Sequence, residues 1–104
     1  MSFIRTTTFA LTRDDAEEIR PGKLVYSALI PGRKFIAQGL NGLVQTAVWR
    51  SVNASGKVVF TIFTEWSTMA DLQAYANQPT VHELETQLAA EADPLTVMVY
   101  ENMG

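Results

Sequence analysis

The chain has 104 residues, a net charge of −3, no cysteine, 47% apolar residues and only 18% charged ones. The missing cysteines exclude disulfides, thiolate nucleophiles and cysteine-based zinc or iron–sulfur sites. The acidic balance argues against nucleic acid, which calls for clustered lysine and arginine; here only Arg33-Lys34 are adjacent among eight basic residues.

No apolar run approaches the roughly 20 residues needed to cross a bilayer. Met1-Ser2-Phe3-Ile4-Arg5 lacks the basic stretch and apolar core of a signal peptide. The cytoplasm is the expected location, and Asn53-Ala54-Ser55 reads as turn chemistry rather than a glycosylation site. The length fits one domain spanning residues 1–104. An average domain carries about 25% charged residues, so this chain is short of residues for covering its surface.

Phe3 to Leu11 reads as a first strand, with Thr6, Thr7, Thr8 and Phe9 favouring extended backbone. Asp14 or Asp15 is expected to cap a helix. Residues 14–38 read as helical in two or three pieces, broken at Pro21 and Pro31, with Leu24, Val25, Ala28, Leu29, Phe35 and Ile36 on one face. Asn41-Gly42 is a turn signal. Leu43 to Arg50 and Lys57 to Trp66 then form an antiparallel hairpin across a polar loop.

Ser67 or Thr68 caps the next helix, whose apolar face is Met69, Leu72 and Tyr75. Thr80 followed by Glu83 has capping-box spacing, and Pro79 ends one helix or opens another. Val81, Leu84, Leu88 and Ala92 recur at i, i+3, i+7 and i+11, so residues 80–92 form an amphipathic helix. Asp93-Pro94 stops it, and Leu95 to Glu101 is the last strand.

The order strand, helix, strand, strand, helix, strand is the ferredoxin-like βαββαβ plan, an α+β antiparallel sheet with its helices on one face. The other face should then alternate apolar and polar residues. It does not: Val58, Phe60, Ile62 and Trp66 oppose Val59, Thr61 and Phe63, and Leu43, Ala47 and Trp49 oppose Val44, Thr46 and Val48. In the last strand Leu95, Val97 and Val99 oppose Met98 and Tyr100. Both faces ask for burial and one helix layer covers only one, which predicts a homodimer through the open sheet face.

The hairpin Val44-Gln45-Thr46-Ala47-Val48-Trp49-Arg50 into Phe60-Thr61-Ile62-Phe63-Thr64-Glu65-Trp66 is followed by Ser67 to Tyr75 and by Gln78-Pro79-Thr80-Val81-His82. This stretch resembles the antibiotic biosynthesis monooxygenase family of dimeric α/β barrels, in which a Glu-Trp pair closes the third strand and a helix opens near a small-Pro-x-His segment. The resemblance implies a dimeric α/β barrel and a cofactor-independent monooxygenase acting on a small aromatic or quinol-like substrate in an apolar pocket. The haem-degrading branch of that family uses an Asn near the first strand, and Phe3 to Leu11 has none.

His82 is the candidate catalytic residue: it is the one side chain whose ordinary titration range lies near neutrality, and its imidazole can take a proton from a phenol or donate to an oxyanion. Trp66, Trp49 and Tyr75 are candidates to shape a flat-ligand pocket, the indoles offering N–H donors. Arg50 is a candidate to hold an anionic oxygen. Glu83 and Glu85 read as helix-surface charges. No metal-ligand spacing, glycine-rich phosphate loop or nucleophile elbow is present. The alternatives are a non-catalytic module for a small apolar ligand and a haem binder with His82 as axial ligand.

Overall fold

The computed structural model describes residues 1–17, 40–52, 56–92 and 95–104. The helical pieces expected beyond residue 17, with Pro21 and Pro31, lie outside the described residues, as do Asn53-Ala54-Ser55 and Asp93-Pro94. The elements are β1 (Ser2–Leu11), α1 (Arg13–Glu17), β2 (Leu43–Arg50), β3 (Val58–Trp66), α2 (Met69–Ala76), α3 (Pro79–Glu91) and β4 (Leu95–Asn102).

The strands make one four-stranded sheet in the order β2-β3-β1-β4, with every neighbouring pair antiparallel. This is the ferredoxin-like α+β arrangement expected from the order of elements. The helix-side face holds the core. Phe9, Leu11, Val58, Phe60 and Ile62 pack with Ala16, Leu88 and Ala92, and the Phe9 and Phe60 rings stack 5.5 Å apart. A second cluster, Trp66, Leu72, Tyr75 and Val81, lies at the other end of β3, with Phe3, Leu40, Leu43 and Met69 packed against it. Val81, Leu88 and Ala92 are buried and Leu84 half-buried, as the stripe on α3 requires.

Three local readings are corrected. Leu43 does not share a face with Ala47 and Trp49. The pairing of β2 with β3 shifts between Leu43 and Gln45, and a bulge of this kind breaks the two-residue alternation. Leu43 therefore pairs with Trp66 and joins the helix-side cluster. At α1 the cap is Thr12 rather than Asp14 or Asp15: its hydroxyl accepts from Asp15 N at 3.3 Å. The third helix starts one residue early, at Pro79, with Gln78 as its cap residue and no side-chain cap bond. Proline suits the first helical position because its missing N–H has no partner there in any case.

Of the two expected caps, Ser67 and Thr68, it is Thr68 that caps α2, accepting from Asp71 N at 3.1 Å. The Asn41-Gly42 turn also forms, and its glycine is required twice over. Gly42 has φ +78°, and a Cβ there would run into the Asp71 side chain.

Candidate functional site

β1 presents Phe3, Arg5, Thr7 and Phe9 to the helix side, in register with Trp66, Thr64, Ile62 and Phe60 of β3. An arginine in that row sits where a core residue belongs. Arg5 is buried, and α3 answers it with Glu85, one turn beyond Val81 and on the same side as Leu88. The guanidinium donates to Glu85 twice, from Nη1 at 2.6 Å and from Nη2 at 2.9 Å. Thr7 Oγ1 donates to the same carboxylate at 3.0 Å.

Burial opposes the charge on Arg5, but the hydrogen bond and charge of Glu85 outweigh it and hold the guanidinium above its ordinary range. Paired forks of this kind are directional and strong. Glu85 is thus not the surface charge the sequence suggested, since only 18% of its side chain is exposed.

Arg5 also lies over the Tyr75 ring, 5.9 Å from its centroid, and Tyr75 packs against Trp66 with centroids 5.0 Å apart and the ring planes tilted by 34°. Burial pushes the Tyr75 phenol up to about 12, so it stays protonated. Trp66 is 1% exposed, and its Nε1 is buried without an acceptor among the described residues. A buried N–H with no partner costs roughly 1–3 kcal/mol.

Two of the candidate site residues, Trp66 and Tyr75, are therefore brought together. The others lie elsewhere. Trp49 is 53% exposed on the opposite face of the sheet, against Phe63 at 4.8 Å. Arg50 is at the far end of the sheet, paired with Glu17 at 2.8 Å. It borders a hollow of about 220 Å³ with Arg13, Ser51, Val52 and Val58. His82 is exposed on the first turn of α3, where its backbone N–H donates to Gln78 O at 3.1 Å.

Arg5, Thr7 and Glu85 were not singled out from the sequence, although a signal was there. Glu85 falls at i+4 from Val81 and i−3 from Leu88, inside the apolar stripe. Arg5 falls on the inward parity of a strand. Two opposite charges in core positions call for each other. Among the described residues, no group of three or more His, Asp or Glu is placed to hold a metal ion.

On the other face, Glu65 is buried within a second polar cluster. Its carboxylate accepts from Ser2 Oγ, from Gln45 Nε2 at 2.7 Å and from Asn102 Nδ2 at 3.3 Å. The bonds from Ser2 and Gln45, helped by Asn102, hold it below the usual carboxylate range against the opposing effect of burial. Around it the face is apolar and open: Trp49, Val59, Met98 and Tyr100 are all more than a third exposed.

Comparison with solved structures gives the fold a setting. A Deinococcus radiodurans protein, provisionally named an antibiotic biosynthesis monooxygenase, superposes with a TM-score of 0.76 at 16% identity, over 98% of this chain and 93% of that one. The fold is the one those monooxygenase structures share. A Nitrosomonas europaea protein of the same provisional name matches with a TM-score of 0.74 at 12% identity, over 98% and 90% of the two chains. SnoaB, a cofactor-independent oxygenase of Streptomyces nogalater, matches with a TM-score of 0.69 at 16% identity, over 99% and 94%. No protein-family model and no curated protein matches the chain. Among the described residues, no helix is long and apolar enough to cross a membrane.

Proposed function

We propose that this protein is a cofactor-independent oxygenase that binds a small aromatic or quinol-like substrate against Trp66 and Tyr75, between the sheet and the helices. The observation that carries the reading is the buried, acceptorless Trp66 Nε1 beside a phenol that stays protonated. Its setting is a fold shared with a named cofactor-independent oxygenase. In such a reaction the substrate supplies the electrons. Loss of a proton from a ring CH₂ beside a phenol leaves an electron-rich anion that reduces dioxygen. One oxygen atom becomes the ring carbonyl, and the other leaves as water.

The protein's part is to exclude water, orient the ring and stabilise the oxyanion as it forms, which is the task of a preorganised donor. Trp66 fills that role, with Tyr75 setting the plane of the ligand. His82, exposed at the head of α3, is assigned proton exchange with solvent. Trp49 and the open sheet face are assigned to a second copy of the chain, which completes the barrel in the cytoplasm.

Oxygen uptake with a panel of quinols, without added metal or flavin, tests the reading. Trp66→Phe keeps the ring and removes the N–H, and is expected to lower the rate about 100-fold, the scale of one lost oxyanion donor. His82→Ala is expected to cost less. Uptake unchanged in Trp66→Phe removes the proposed donor, and uptake unchanged in His82→Ala removes the histidine.

A further inference from the structure

We propose that the hollow between the end of β2 and the start of α1 binds a small phosphate ester, whose phosphate is held by Arg13 and Arg50. The hollow measures about 220 Å³ and is lined by Arg13, Arg50, Ser51, Val52 and Val58. Val58 opens β3 and Trp66 closes it, about 26 Å away at the rise of an extended chain. The hollow is thus separate from the oxygenase site proposed above and does not depend on it.

The chain has eight basic residues against eleven acidic ones, yet two of its arginines border this one hollow. Guanidinium forks match phosphate oxygens with parallel N–H donors. Arg50 is already held in place. It pairs with Phe60 across the sheet, and its Cζ lies 5.9 Å from the Phe60 ring centroid. Its Nη2 donates to Glu17 Oε1 at 2.8 Å. That ion pair is open to water, with 42% of the Arg50 side chain and 64% of the Glu17 side chain exposed. Exposed pairs of this kind hold weakly. A phosphate dianion brings more charge than one carboxylate and more oxygens, so it displaces Glu17 from an arginine that is already positioned.

Ser51 adds a further donor. Its Oγ accepts from Val59 N at 3.0 Å, which fixes the hydroxyl at the hollow, and its O–H can donate to a phosphate oxygen. The size of the hollow argues for more than free phosphate. A water takes about 30 Å³ in the liquid, so 220 Å³ exceeds the need of a phosphate group alone. The space left over lies between buried Val58 and exposed Val52, which suits a small organic remainder.

Titration calorimetry at neutral pH and low salt with phenyl phosphate, inorganic phosphate and benzoate tests the proposal. Phenyl phosphate is expected to bind saturably, about tenfold more tightly than either other probe, and to weaken as salt is raised. Arg13 and Arg50 are exposed, so their variants keep the fold. Arg13→Gln and Arg50→Gln are each expected to lower phenyl phosphate affinity about tenfold. Glu17→Gln removes the competing carboxylate and is expected to raise it about threefold, the scale of one exposed ion pair. Lys57→Gln removes the same charge from an exposed residue that does not line the hollow, and is expected to leave affinity nearly unchanged. Absence of saturable binding, or an affinity unchanged in Arg50→Gln, overturns the proposal. A loss in Lys57→Gln as large as in Arg50→Gln means general attraction of anions and overturns it too. Equal affinity for the two phosphates overturns the ester, and benzoate binding as tightly as phenyl phosphate overturns the phosphate. The oxygenase reading stands or falls separately, by oxygen uptake.

Discussion

Glu65 and Trp66 are neighbours in sequence and lie on opposite faces of β3. On the helix side, around Trp66, the polar groups are sealed in. Arg5 is answered by Glu85, and among the described residues the one buried side-chain group left over is the indole N–H. On the open side, around Glu65, the polar groups satisfy one another, while the large apolar side chains Trp49, Met98 and Tyr100 remain half exposed. One face has a single unpaired donor among the described residues, and its exposed apolar strand residues, Val97 and Val99, lie on the edge strand β4. The other has its polar part finished and its apolar part in waiting.

The two tryptophans break or sharpen this contrast most directly. Trp66→Ala is expected to cost about 3–5 kcal/mol in denaturant unfolding, the scale for emptying a buried aromatic site. Trp49→Ala is expected to cost under about 1 kcal/mol in the isolated chain, yet to weaken self-association about 30-fold in sedimentation, as loss of an interface tryptophan does. Equal effects of the two on unfolding, with no effect on association, would remove the distinction between the faces.

Next comes the ion pair. Glu85→Ala strands a buried guanidinium and is expected to destabilise by about 3 kcal/mol, whereas replacing both partners by methionine is expected to stay within about 1 kcal/mol of the unmodified protein. Thermal or urea unfolding separates the two outcomes. A double variant as unstable as the single one would mean that the pair supports the fold by more than its charges.

The smallest effect belongs to Glu65 and is read through pH. Its carboxyl is held below the ordinary value of 4.5 in the folded chain. The stability it contributes is therefore fully present above that value and lost as pH falls through its lower folded value. The melting temperature of the unmodified protein should exceed that of Glu65→Gln near neutrality and converge on it in acid. A gap that widens in acid would contradict the arrangement around this carboxylate.

The elements and their order were legible because local signals carried them: β-branched runs for the strands, Thr68 for the cap of α2, and the Val81–Ala92 stripe for α3. The two-sided apolar character of β3 was legible for the same reason. Leu43 was misplaced because a bulge is a property of two paired strands, and nothing in Leu43-Val44-Gln45 alone announces it. Pro79 was read as an end or a beginning because position one of a helix and the residue after one accept proline equally well. Trp66 and Tyr75, two of the candidates for the pocket, pack against each other in the structure. Glu85 was read as a helix-surface charge and Arg5 was not singled out; the two are 80 residues apart in sequence, and only the fold makes them a pair.

The cluster at Glu65 also bears on the order in which the molecule comes apart. Its three donors come from β1, β2 and β4, at sequence separations of 63, 20 and 37 residues, so every strand of the sheet contributes to one carboxylate. Such a junction closes fully only after the outer strands have docked, so it is expected to form late in folding. Its hydrogen bonds act as a latch on the finished sheet: weakening them speeds unfolding and leaves the refolding rate nearly untouched.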